Sequence, residues 1–264
     1  MRSTFLTSAL SASVATLLLG ACAPAQMGAS PAVAAPLDAG AYAAVLADPI
    51  RPAADRERDA ARQPAALLAF AGIRPGMRVG DFVMGGGYFT RVLSSAVGSA
   101  GHVYAFQPAE FIAFRAQYGV DQQTVDAALA NVDAVNGPAS APAFPANLDA
   151  IITIQNFHDL FLPQMPAGTA ANASAALFTA LKPGGTLVVV DHAAVAGSGI
   201  SAAGTLHRIE QSAIVSTLTQ AGFVLEAQSP LFNAPADPHT ANVFTPEIRG
   251  HTDQFTLRFR KPMR

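Results

Sequence analysis

Residues Arg78 to Thr90 read RVGDFVMGGGYFT, a short apolar run that meets three glycines and resumes as the helix-like YFTRVLSSAV. Consecutive glycines are entropically costly to order, so a fold that keeps them needs backbone there that no side chain covers. A strand that turns on glycines into a helix is the opening unit of a doubly wound α/β sheet, and ligands of such sheets sit at the carboxyl ends of the strands.

Downstream, GHVYAFQ (Gly101 to Gln107), LDAIITIQN (Leu148 to Asn156) and GGTLVVVDH (Gly184 to His192) are nearly continuous apolar runs, as strands buried on both faces require. Further strands are expected near FVLEAQ (Phe223 to Gln228) and at the alternating DQFTLRFR (Asp253 to Arg260). Between them lie segments that suit helices: material reaching about Val135, AGTAANASAALFTAL, and a helix from Leu206 to Ala221. Upstream, RPAADRERDAARQPAALLAFAGI predicts two short helices broken at Gln63-Pro64, because proline opens a helix but cannot continue one. The pattern predicts a single α/β domain around a mostly parallel sheet.

The chain has 264 residues, 51% hydrophobic and 13% charged, with a formal net charge of -2. That composition supports one large core and lacks the basic excess of a nucleic-acid-binding protein. Residues 1–21 carry one arginine, an apolar stretch and then small residues, the layout of a secretory signal peptide. Leu19-Gly20-Ala21-Cys22 resembles a bacterial lipobox, which implies a lipidated Cys22, anchoring without spanning, and a place at the bacterial cell envelope facing the periplasm. Residues 22–50, rich in alanine, proline and glycine, read as a flexible tether, and residues 51–264 as the domain. Cys22 is the only cysteine, so no disulfide is available to the fold.

Asp81, the glycine loop, VYAF, LDAIITIQN and LKPGGTLVVVD follow one another in an order that resembles the class I S-adenosylmethionine-dependent methyltransferases. MGGGYFT, NFHDL, VVDH, LHRIE and TDQFTLRF together are similar to a group of bacterial predicted methyltransferases of undefined substrate. The resemblance implies a Rossmann-like sheet of seven strands, the last antiparallel, with S-adenosylmethionine as cofactor and a small molecule as substrate. It also implies a cofactor site from Asp81, Met84, Gly85, Gly86, Gly87, Tyr88, Phe89, Thr90, Gln107 and Asn156, with the carboxylate of the cofactor at the helix N-terminus that follows the glycines.

Two positions depart from the family pattern. Val83 stands where an early glycine is expected, and Gln107 where an acid would accept both ribose hydroxyls. A neutral amide there makes a weaker hydrogen bond than a carboxylate. The alternative reading is therefore a catalytically inactive or repurposed ligand-binding lipoprotein with the same fold.

Polar residues gather at the strand ends: Asn156, His158 and Asp159 after one strand, Asp191 and His192 after the next, then His207 with Arg208 and Glu210. A hydroxyl nucleophile benefits from a base titrating near the working pH, which histidine supplies. His158 is expected to act as that base, with Asp159 or Asp191 orienting it and His192 and His207 close by. No metal is expected, because no H-x-E or H-x-x-x-H spacing fixes two ligands on one helical face.

Overall fold

The computed structural model describes Met1 and residues 38–263. The segments expected to be a signal peptide, a lipobox with Cys22 and a tether lie, from residue 2 to residue 37, outside the described residues. Among the described residues, no helix is long and apolar enough to cross a membrane.

Residues 38–50, assigned above to the tether, instead pack onto the domain. Asp38 caps a 3-10 turn, Ala39–Tyr42, by accepting the Ala41 N–H, and the chain continues as α1, Ala43–Ala47. Tyr42 is buried, and its hydroxyl donates to the Ile73 carbonyl at 2.6 Å. The alanines that suggested a linker are here helix formers, for which alanine has the highest propensity. Residues 38–50 therefore belong with the domain rather than with the tether.

Helices α2 (Ala53–Arg56), α3 (Asp59–Arg62) and α4 (Pro64–Ala71) follow, with Gln63 left-handed at φ 41° just before Pro64. Then come β1 (Arg78–Phe82), α5 (Tyr88–Val97), β2 (His102–Pro108), α6 (Ala109–Phe114) and α7 (Gln117–Ala128). Next are β3 (Val132–Gly137), β4 (Leu148–Ile154), a 3-10 turn at Phe157–Phe161, α8 (Thr169–Ala180) and β5 (Leu181–His192). The chain closes with α9 (Ala203–Leu206), α10 (Gln211–Gln220), β6 (Val224–Ser229) and β7 (Gln254–Arg260).

The seven strands lie in the order β3-β2-β1-β4-β5-β7-β6, parallel except for β7, which runs antiparallel to β5 and β6. Because side chains alternate along a strand, both faces of the sheet build a core. Leu187 and Val189 of β5 join Phe82, Phe106 and Phe259 on one face, while Val188 and Val190 join Val79, Leu93 and Val103 on the other. The chain reverses its direction of winding between β1 and β4, which are neighbours, so a crevice opens at their carboxyl ends.

Two expectations are corrected. Residues up to Val135 are not all helical: β3 forms an edge strand with only Val132 and Val135 buried, and its Asp133 and Asn136 gave no apolar run to read. Nor is Leu206 to Ala221 one helix. α9 ends at His207, which is left-handed at φ 52°, and Ile209 then pairs with Ala193 before α10 begins. The apolar periodicity carried across this break because Ile209 is buried as a bridge residue.

Candidate active site

At the carboxyl edge of the sheet lies a cavity of about 540 Å³, within the size range of small-molecule sites. One end is built by the β1–α5 turn. Asp81 is buried at the end of β1 and accepts the Thr90 hydroxyl at 2.7 Å, tying the strand to the following helix across the glycines. Burial pushes the Asp81 carboxyl up to about 6, against the hydrogen bond from Thr90. Val83 takes the left-handed conformation, φ 67°, that a glycine would adopt without strain.

The three glycines do different work. A Cβ added to Gly85 would meet nothing within 4 Å, and Gly86 would meet only the Asp121 carboxylate at 3.8 Å. Both line the cavity with bare backbone. A Cβ on Gly87 would lie 2.6 Å from Val125 of α7, so this glycine serves helix packing and not the cavity wall. Of the residues the resemblance implied for the cofactor, Asp81, Met84, Gly85, Gly86, Tyr88, Phe89, Gln107 and Asn156 line the cavity; Gly87 and Thr90 do not.

Gln107, fully buried at the end of β2, accepts the Gly85 N–H through Oε1 at 3.0 Å. This bond fixes the orientation of the amide: Nε2 is the other end, buried and with no hydrogen-bond partner among the described residues. The position thus presents a donor, where an acid would present acceptors. Glu110, three residues on, also lines the cavity, and its Oε2 accepts the Ala139 N–H. Asn156 donates to the carbonyls of Val83 and Ile154, holding the end of β4 to the loop after β1.

The other end of the cavity is ionisable. His158 is buried and sits between two carboxylates: Nδ1 lies 2.7 Å from Asp191 Oδ1, and Nε2 lies 3.2 Å from Asp159 Oδ1. Burial alone would lower the imidazole, but Asp191 and Asp159 together hold it up to about 10. His158 is therefore a cation at neutral pH, which corrects the expectation of a base titrating near the working pH. Asp191, fully buried behind it, is saturated by His158 Nδ1 and by the backbone N–H groups of His158 and His192. His192 contacts Thr252 at 2.9 Å through Nδ1, and burial lowers it to about 4, so it is neutral. His207, only partly buried, brings Nδ1 to 3.3 Å from His158 Nε2 and 3.7 Å from Asp159 Oδ1. Arg208, by contrast, is turned inward to a buried ion pair with Asp237.

The sequence reading missed one wall. Arg58 and Arg62 line the cavity, and each guanidinium lies over the Tyr88 ring, at 5.3 and 5.0 Å from its centre. Their i, i+4 spacing was the available signal. Burial and the neighbouring Arg58 pull Arg62 down to about 10, still charged at neutral pH. The Tyr88 hydroxyl donates to Asp59 at 2.5 Å, and Asp59 in turn pairs with the buried Arg51.

No family model matches the chain, and no curated protein matches it. Solved structures do. A SAM-dependent methyltransferase from Aquifex aeolicus superposes with a TM-score of 0.54 at 20% identity, over 85% of this chain and 99% of that one. A TehB-like SAM-dependent methyltransferase from Corynebacterium glutamicum gives 0.51 at 17% identity, over 79% and 95%. The [4+2]-cyclase SpnF gives 0.54 at 18% identity, over 78% and 82%. At such identities the likeness establishes the fold, and the fold is the Rossmann-like one of the class I methyltransferases.

Proposed function

We propose that the chain is an S-adenosylmethionine-dependent methyltransferase acting on a small molecule. The observation that carries this reading is the pairing of bare backbone at Gly85 with the buried, unpartnered Nε2 of Gln107 in the cavity wall. A buried amide donor without a partner costs roughly 1–3 kcal/mol, which a bound ligand would offset. A ribose hydroxyl can accept from Nε2 as well as donate to an acid, so the donor is compatible with a nucleoside cofactor. Arg58 and Arg62 supply the positive charge that an amino-acid carboxylate needs, and Tyr88 and Phe89 add aromatic surface.

When bound, S-adenosylmethionine supplies an electrophilic methyl group. The protein's own contribution is placement, which can lower such barriers substantially. In this reading the substrate lies toward His158, Asp159 and His207, whose polar atoms orient the acceptor. The proton released by the acceptor passes to the carboxylate and imidazole of Asp159 and His207. We also propose, from the sequence, that lipidation of Cys22 holds the domain at the cell envelope. Palmitate label present in wild type and missing from Cys22→Ala is the expected result.

A second reading, a ligand-binding module that transfers no methyl group, is favoured by the neutral side chain of Gln107, which holds ribose hydroxyls more weakly than a carboxylate would. The fold does not decide between the two, since a neighbour of the same fold is described as a [4+2]-cyclase. Gln107→Leu removes the donor and the Gly85 bond together. Isothermal titration with S-adenosylmethionine should show affinity weakened by about tenfold or more, the equivalent of about 1.4 kcal/mol. Unchanged affinity would remove the observation on which the proposal stands.

A further inference from the structure

The histidine end of the cavity holds three ligand atoms in a triangle. His158 Nε2, Asp159 Oδ1 and His207 Nδ1 are separated by 3.2, 3.3 and 3.7 Å. Nitrogen and oxygen ligands at about 2.1 Å from a single ion, at tetrahedral angles, lie about 3.4 Å apart. All three residues line the cavity, so positions opposite the triangle open toward it.

We propose that His158, Asp159 and His207 form a binding site for a divalent first-row transition metal, of the two-histidine, one-carboxylate kind. A second observation, independent of the triangle, supports it. Asp191 lies 2.7 Å from His158 Nδ1, and its oxygens are also engaged by two backbone N–H groups. A buried carboxylate on the far nitrogen holds the Nδ1 proton in place, so an ion binding at Nε2 displaces only the Nε2 proton to solvent, and this is the usual support of a metal-bound histidine.

The same bonds keep Asp191 out of the ligand set. His192 is also outside it, because its Nδ1 faces Thr252. Two imidazoles and one carboxylate suit zinc, cobalt or ferrous iron, whereas magnesium and calcium prefer all-oxygen sites.

Sequence spacing concealed this site because no two ligands share a helical face. His158 and Asp159 are adjacent in a 3-10 turn, and His207 arrives from the end of α9 in a left-handed conformation. The inference rests on geometry at this end alone and does not depend on which ligand the glycine loop holds.

The test uses the full-length protein stripped with chelator and offered zinc, cobalt or magnesium. Wild type should retain one equivalent of zinc or cobalt after desalting, with cobalt giving visible d–d absorption, and should retain no magnesium. His207→Gly relieves a left-handed backbone while deleting a ligand, so it should fold at least as well as wild type and bind zinc more than about tenfold more weakly. Asp191→Asn keeps the three ligands and should lose about 10- to 100-fold in affinity. Zinc should raise the melting temperature of wild type, as any ligand selective for the folded state does, and should not raise that of His207→Gly. Metal content no higher in wild type than in His207→Gly, or an equal zinc-induced shift in both, would overturn the proposal.

Discussion

The two ends of the cavity are made differently. The glycine end is built around backbone: Gly85 and Gly86 are uncovered, and the buried amide of Gln107 holds the Gly85 N–H. The histidine end is mostly buried charge, with His158, Asp159 and Asp191 each holding the next in place. Removing a side chain from the first should change what binds; removing the buried His158 from the second should change whether the protein stays folded.

The largest effect tests the second half of that contrast. His158→Ala leaves Asp191 as a fully buried carboxylate without its cationic partner. Breaking a buried pair in this way costs about 3–5 kcal/mol. Chemical denaturation should show a loss of that order, and a variant as stable as wild type would mean the pair is not held as the geometry implies.

Two neighbouring glycines sharpen the comparison. Gly87→Val drives a side chain into Val125 at a left-handed position, and overpacking of this kind costs about 1–3 kcal/mol on top of about 1–2 kcal/mol of backbone strain. Gly85→Val carries only the strain, because nothing lies within 4 Å of its Cβ. Gly85→Val should therefore fold and lose S-adenosylmethionine binding, whereas Gly87→Val should lose both. The opposite ranking in melting temperature would show that the cavity wall has been assigned to the wrong glycine.

The smallest effect is a pH dependence at Asp81. Its carboxyl is raised from the ordinary 3.8 to about 6 in the folded state, so folding favours the protonated form. Its contribution is present in full below about pH 4 and is lost as pH rises through about 6. Asp81→Asn can still accept from Thr90 but does not titrate. Its stability relative to wild type should therefore increase between pH 4 and about 7. A difference that stays flat over that range would place the Asp81 carboxyl in water.

The same contrast explains how much was legible in the sequence. The glycine end is contiguous, from Asp81 to Phe89, so the motif and its place after β1 could be read directly. Even there, sequence did not separate Gly85 from Gly87, because the difference lies in Val125, 38 positions beyond Gly87 on α7. At the histidine end every residue was named, and Asp159 or Asp191 was expected to orient His158; both carboxylates contact it. Nothing local says that Asp191 is saturated, that His158 is a cation, or that His207 closes the triangle after a break between α9 and α10. β3 went unread because an edge strand with alternate polar residues lacks the apolar run of its neighbours. Residues 38–50 went unread because alanine serves linkers and helices alike.

The central claim is that the glycine end receives S-adenosylmethionine. Isothermal titration of the full-length protein with S-adenosylmethionine, and separately with its demethylated product, tests this most directly. Saturable binding of both ligands, lost in Gly85→Val and retained in His207→Gly, is the predicted result. No binding of either ligand up to millimolar concentration would contradict it.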